Sequence, residues 1–174
     1  MHELARHIRN IPDFPKKGIV FRDITTLLKE PTAFKKAVDI LYERYRDKGI
    51  SKIVCVEARG FILGGALAAQ LGAGFVPIRK KGKLPAETYK EEYQLEYGID
   101  TVEIHKDAIV RGERCLLHDD LLATGGTMLA CANLVKKVGG EVAGICFLIE
   151  LSFLNGREKL KGFDVHSIIQ YESE

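Results

Sequence analysis

The stretch from Cys115 to Met128, C-L-L-H-D-D-L-L-A-T-G-G-T-M, brings together residue types suited to holding a sugar phosphate. Its glycines let backbone N–H groups close around an anion. The hydroxyls of Thr124 and Thr127 add donors, and a helix starting here turns its positive end toward the same charge. Asp119 and Asp120 repel phosphate, but carboxylates accept hydrogen bonds from ribose hydroxyls and help to hold Mg2+. The combination asks for a phosphorylated ribose. Two adjacent acids alone, or a Gly-Gly pair alone, would make a capped strand-to-helix turn and no more. The chain has neither G-x-x-x-x-G-K-[ST] nor G-x-G-x-x-G, so a nucleoside triphosphatase and a dinucleotide-dependent oxidoreductase lose their main support.

Such a motif needs a strand that ends at it and a helix that leaves it. The apolar run Cys115 to His118 predicts the strand, and the segment ending at Gly139-Gly140 predicts the helix, with Val142 to Ile149 as the next strand. Upstream, Phe34, Ala37, Val38, Leu41 and Tyr45 recur at helical spacing after Pro31 and stop before Gly49. Ile53 to Val56 predicts a strand, followed by the loop Glu57-Ala58-Arg59-Gly60, a helix from about Phe61 and a strand at Phe75 to Ile78. Nearly continuous apolar strands separated by helices predict an α/β fold, a doubly wound parallel sheet covered on both faces. Ligands of such sheets bind beyond the C-terminal strand ends, here after Val56, Ile78 and His118. The segment from Lys80 to about Tyr97 is rich in Lys, Glu and Tyr and precedes the alternating Thr101 to Ile104. A connection of that length predicts a mobile lid, partly a β-hairpin, against the alternative of an ordinary exposed hairpin.

The 174 residues suit one domain, and 46% apolar with 29% charged residues is ordinary globular composition. A formal charge of +2, with basic and acidic residues interleaved, argues against a nucleic-acid-binding surface. Cys55, Cys115, Cys131 and Cys146 lie far apart in apolar contexts and predict buried free thiols in a reducing compartment. The N-terminal Met-His-Glu-Leu-Ala-Arg-His lacks the apolar stretch of a signal peptide, so the cytoplasm is the expected location. No membrane span is expected either. The best candidate, Phe61 to Ile78, is interrupted at Leu71-Gly72-Ala73-Gly74 and reads as a buried helix followed by a strand.

The Cys115 to Met128 stretch resembles the signature of the type I phosphoribosyltransferases. Other segments, in the same order, are similar to the adenine branch of that family: Pro12-Asp13-Phe14-Pro15, Gly18 to Ile24, Glu57 to Phe61, Arg79 to Pro85, and Leu95-Glu96-Tyr97-Gly98. The resemblance covers nearly the whole chain. It implies one domain over 1–174, with about 1–30 contributing to a hood over the base and about 80–104 forming the lid. It also implies transfer of the 5-phosphoribosyl group from 5-phosphoribosyl-1-pyrophosphate to N9 of adenine, giving AMP and pyrophosphate. The implied cofactor is Mg2+, carried by the donor near Asp119 and Asp120, and the implied assembly is a homodimer.

By the same resemblance, Val20, Phe21 and Arg22 bind adenine, with backbone groups reading the base edge. Arg59, Arg79, Lys80, Lys83 and Tyr97 reach pyrophosphate, some of them across the dimer interface, and Asp119, Asp120, Ala123, Thr124, Gly125, Gly126 and Thr127 hold the ribose phosphate. Glu96 is the implied catalytic carboxylate, bonded to the purine near N7 while the transition state has oxocarbenium character. Without the resemblance Arg59 reads as a surface ion pair, the basic trio as a solvated face and Glu96 as one of several lid glutamates. His118 stands where the family more usually has Val or another apolar residue, and is expected to be a satisfied core histidine rather than a tuner of Asp119. Ala123 stands where 6-oxopurine enzymes usually carry an acid beneath N7, which favours adenine over hypoxanthine, guanine or xanthine. The rival of a different class is a non-catalytic regulator that binds the same donor, but the sequence has neither a DNA-binding segment nor a strong basic face.

Overall fold

The structure, a computed structural model, describes residues 3–94 and 98–174. A short antiparallel pair, β1 (Arg9–Ile11) and β2 (Phe21–Asp23), precedes α1 (Thr25–Leu28) and α2 (Pro31–Tyr45). Then come β3 (Lys52–Val56), α3 (Gly60–Leu71), β4 (Gly74–Lys80), β5 (Thr88–Gln94), β6 (Ile99–His105), β7 (Arg114–Leu122), α4 (Gly126–Val138), β8 (Glu141–Leu151) and β9 (Val165–Tyr171). The main sheet has seven strands in the order β5-β6-β4-β3-β7-β8-β9.

The run β4-β3-β7-β8-β9 is parallel throughout. On its β4 edge β6 runs antiparallel, and β5 pairs antiparallel with β6 from Thr88↔His105 to Gln94↔Ile99. The sheet is therefore mixed: the expected parallel, doubly wound centre, extended by the hairpin expected in the lid segment. β7 continues to Leu122, four residues past the end of its apolar run, because the ladder to β8 pairs backbone groups whatever the side chains. β9 is a strand beyond those expected from the sequence.

Leu41, Leu63 and Leu67 of α2 and α3 pack with Ile53, Leu116 and Leu148 on one face. Met128, Cys131 and Val135 of α4 pack with Val54, Leu117 and Phe147 on the other. Adjacent strand residues such as Leu116 and Leu117 thus serve opposite cores, which is why these strands read as continuous apolar runs. The four cysteines are buried and free, as expected. Among the described residues, no helix is long and apolar enough to cross a membrane.

α3 ends at Gly72, whose φ of 66° closes the helix in the left-handed conformation and lets β4 begin two residues later. Inside α3, Gly64 is required by packing, since a Cβ there would fall on the sulfur of Cys55 and stand 3.3 Å from the His118 ring. Alanine is the better helix former by about 1 kcal/mol. Overpacking nevertheless wins, so Gly64→Ala should lower the unfolding free energy in urea by about 1–3 kcal/mol. An increase would show that α3 does not press on β3 here.

Candidate active site

The C-terminal ends of β3, β4 and β7 open onto one cavity of about 200 Å3. Its walls include Arg59 from the loop after β3, Arg79 and Lys80 from β4, Asp119 and Asp120 from β7, and Thr127 from the first turn of α4. A second cavity of about 80 Å3 is lined by Ala123, Thr124, Gly125 and Gly126 and shares Asp119 and Thr127 with the first. Parallel strands bring their C-terminal ends side by side, so residues far apart in sequence converge. Gly60 makes the convergence tight. A Cβ there would lie 2.9 Å from Asp119 Oδ1 and 3.3 Å from the His118 carbonyl oxygen, so glycine lets α3 start against β7.

Each cation of the larger cavity is held by a carboxylate. Arg59 Nε lies 2.8 Å from Asp120 Oδ2. Arg79 Nε donates to Glu57 Oε2 at 3.0 Å, while Glu57 Oε1 accepts the Lys80 amide at 2.7 Å. Lys80 Nζ is 3.1 Å from Asp100 Oδ2. Lys83 Nζ stands outside the cavity wall, 3.6 Å from Glu57. Burial raises the Glu57 carboxyl, but the Lys80 amide and Arg79 outweigh it and hold the group below its ordinary value. The Asp pair behaves differently. Burial pushes Asp119 well above the usual carboxylate range and the charge of Asp120 adds to this. Asp120 is raised by burial against the opposing pull of Arg59. A pair of raised carboxyls is a place where an added cation or hydroxyl donor is favoured.

Phe21 borders this loop, with the Arg59 guanidinium 5.1 Å above its ring and Phe14 edge-on at 5.3 Å. The Val20 amide donates to Glu174 Oε2 at 2.9 Å. The side chain of Arg22 is not brought to the cavity: it is buried, stacks on Tyr171 at 4.0 Å and donates to Asn10 Oδ1 and the Ser173 carbonyl. Glu96 and Tyr97 lie outside the described residues. Tyr93, not singled out from the sequence, lines the larger cavity, and its hydroxyl donates to Asp100 at 3.3 Å. The alternation Tyr89, Glu91, Tyr93 was its signal, because a strand turns such residues to one face. Glu57 and Asp100 had no comparable signal.

Residues 23–169 match the family model of the phosphoribosyl transferase domain. The adenine phosphoribosyltransferase of Geotalea uraniireducens is 57% identical over 171 residues, 98% of this chain and 100% of the relative. The crystal structure of adenine phosphoribosyltransferase from Thermoanaerobacter pseudethanolicus has a TM-score of 0.94 at 54% identity, covering 97% of this chain and 98% of that one. The enzyme from Saccharomyces cerevisiae, complexed with D-2,5-dideoxy-2,5-imino-altritol 1,6-bisphosphate and adenine, has a TM-score of 0.90 at 40% identity over 95% and 96%. Fold and family model together define a phosphoribosyltransferase. At these identities over nearly its full length, the chain belongs to the adenine phosphoribosyltransferase family.

His118 is a core histidine as expected, but only half satisfied. It is fully buried, with Nδ1 3.1 Å from the Cys146 carbonyl oxygen and Nε2 without a partner. Burial pushes its pKa down to about 4, so the ring is neutral and donates from Nδ1. The unfolded chain protonates near pH 6.5 and the folded chain only near 4. Stability due to the neutral ring is therefore complete above the higher value and lost as pH falls toward the lower. The unfolding free energy of the wild type, relative to His118→Val, should drop by up to about 3 kcal/mol between pH 7 and pH 4. A difference independent of pH would contradict a buried neutral imidazole.

Proposed function

We propose that this adenine phosphoribosyltransferase family member transfers the 5-phosphoribosyl group of 5-phosphoribosyl-1-pyrophosphate to N9 of adenine, forming AMP and pyrophosphate. The observation that carries the reading is the pair of adjoining cavities. One is lined by strand-end cations and the other by the backbone of a glycine turn, and they meet at Asp119 and Thr127. That arrangement suits a donor with a phosphate at one end, a diphosphate at the other and ribose hydroxyls between.

In this reading Ala123 to Thr127 hold the 5′-phosphate, while Asp119 and Asp120 accept from the ribose hydroxyls. Arg59, Arg79 and Lys80, with Lys83 and Tyr97, exchange internal partners for pyrophosphate and stabilise its departure as N9 attacks the anomeric carbon. Main-chain groups of Val20 to Arg22 read the base edge, and Phe21 packs on its face. Glu96 hydrogen-bonds the purine ring near N7 and handles its proton. Asp119 and Asp120 are the residues that would hold a Mg2+ ion carried by the donor. Among the described residues no group of three or more His, Cys, Asp or Glu is placed to hold a metal unaided. Bound with the donor, the ion would supply positive charge against pyrophosphate.

We place the enzyme in the cytoplasm, in keeping with its free thiols. A homodimer is supported by the exposed Ile62 and Phe75, the latter edge-to-face with Phe61 at 5.4 Å, which leave an apolar group beside the Arg59 loop. Sedimentation equilibrium measures the assembly directly.

Asp119→Asn with Asp120→Asn should raise the donor KM or abolish turnover while the fold persists. Wild-type kinetics in a folded double variant would remove the pair from the mechanism. In competition between equal adenine and hypoxanthine at limiting donor, AMP should exceed IMP by a factor of about 10^4. Hypoxanthine reverses the donor and acceptor presented by adenine, leaving polar groups facing like partners. IMP formed at a comparable rate would favour a 6-oxopurine enzyme, and formation of neither nucleotide would favour a donor-binding regulator.

A further inference from the structure

The turn between β8 and β9 touches the glycine turn that heads α4. A Cβ on Gly156 would fall on the carbonyl oxygen of Ala123 and stand 3.0 Å from Leu122 Cδ1. Conversely, a Cβ on Gly125 would fall on the carbonyl oxygen of Gly156 and stand 3.2 Å from its carbonyl carbon. Two backbones thus meet with no side chain between them, at both Ala123 and Gly125. The second backbone is itself pinned. Asn155 holds a left-handed φ of 53°. Next to Gly156, Arg157 Nε and Nη2 each lie 2.7 Å from a carboxylate oxygen of the buried Glu150, and Nη1 donates to the Val165 carbonyl at 2.9 Å. A bidentate fork of this kind fixes direction as well as distance.

We infer, resting on the function proposed above, that Asn155-Gly156-Arg157 positions the cradle for the donor's 5′-phosphate, with Gly156 setting the approach and the Glu150–Arg157 pair holding it. A cradle of backbone amides binds well only when its N–H groups converge on one anion, within about 0.5 Å. Gly125, at a φ of 79°, gives that turn its shape but carries no side chain to keep it in place. Contact with Gly156 supplies the support from beneath. Asn155, Gly156 and Arg157 do not line the larger cavity, where the loops after β3 and β4 carry the cations.

The test uses the full chain, calorimetry with two probes and steady-state kinetics. In Gly156→Ala the dissociation constant for ribose 5-phosphate should rise by about 10- to 100-fold, the scale of an ångström-level misplacement, and the donor KM should rise with it. Affinity for Mg2+-pyrophosphate and the KM for adenine should stay within about twofold, because neither ligand needs the displaced turn. Arg157→Lys keeps the charge but loses the fork, and should show a smaller loss with the same selectivity; it decides the question if Gly156→Ala does not fold. Unchanged ribose 5-phosphate binding, or an equal loss for both probes, would overturn the inference. Since ribose 5-phosphate binding is read directly, a wild-type chain that binds it but forms no AMP would refute the proposed catalysis without affecting this comparison.

Discussion

Arg59, Arg79 and Lys80 line one cavity, and cations placed close together repel one another in a medium less polar than water. The structure answers this by giving each a carboxylate: Asp120 for Arg59, Glu57 for Arg79 and Asp100 for Lys80. These pairs orient long side chains that would otherwise lose conformational freedom only when ligand arrives. Glu57 does the most, because its two oxygens hold a guanidinium and a backbone amide of consecutive residues in β4. The cost is competition, since an incoming anion must displace or share these partners. The cations keep an open side while the carboxylates of Asp120 and Glu57 are buried behind them, so an incoming anion reaches each cation from the cavity.

The remaining constraint is one of backbone distance. Anion binding by main-chain amides requires the chain to approach its ligand and its own supports without side chains in the way. Gly60 brings α3 onto the end of β7, and Gly125 turns the chain into α4 against Gly156. Both approaches depend on the parallel arrangement of β3, β7 and β8, which aligns the three strand ends. The stability of the two apolar cores is thereby spent on holding a few loops in register.

Much of this was legible in the sequence, and the limits were physical. β3, α3, β4, α4 and β8 were readable because burial on both faces leaves apolar runs of the right length between breakers. The end of β7 was not, since Asp119 and Asp120 break the apolar pattern while their backbone stays in the ladder. β9 was missed too; its Val165, His166 and Ser167 alternate little in polarity, and what makes it a strand is pairing with β8. Among candidate site residues, Arg59, Arg79, Lys80, Asp119, Asp120 and Thr127 do converge on one cavity. The carboxylate partners Glu57 and Asp100 were illegible, because an acid that neutralises a cavity cation has no spacing rule and acquires its role only when the fold brings it near. Gly156 was illegible for the same reason.

The segment around β2, proposed to bind the base through its main chain, keeps its charged side chains for anchoring. β1 and β2 are three residues each, too little to be stable alone. Their rigidity comes from anchors behind them. Asp23 accepts from Arg9 at 3.0 Å and from the Thr25 amide and hydroxyl at 2.9 Å each. The Thr25 amide and hydroxyl, then Arg9, hold its carboxyl down to about 2. Arg22 turns its guanidinium onto Tyr171, away from the donor cavity. A strand that reads a base through its main chain must keep that main chain still, and its charged side chains serve that end from the far side. In such a segment the residues with the most conspicuous chemistry are the supports, and the proposed recognition of adenine falls to main-chain atoms, which every residue shares.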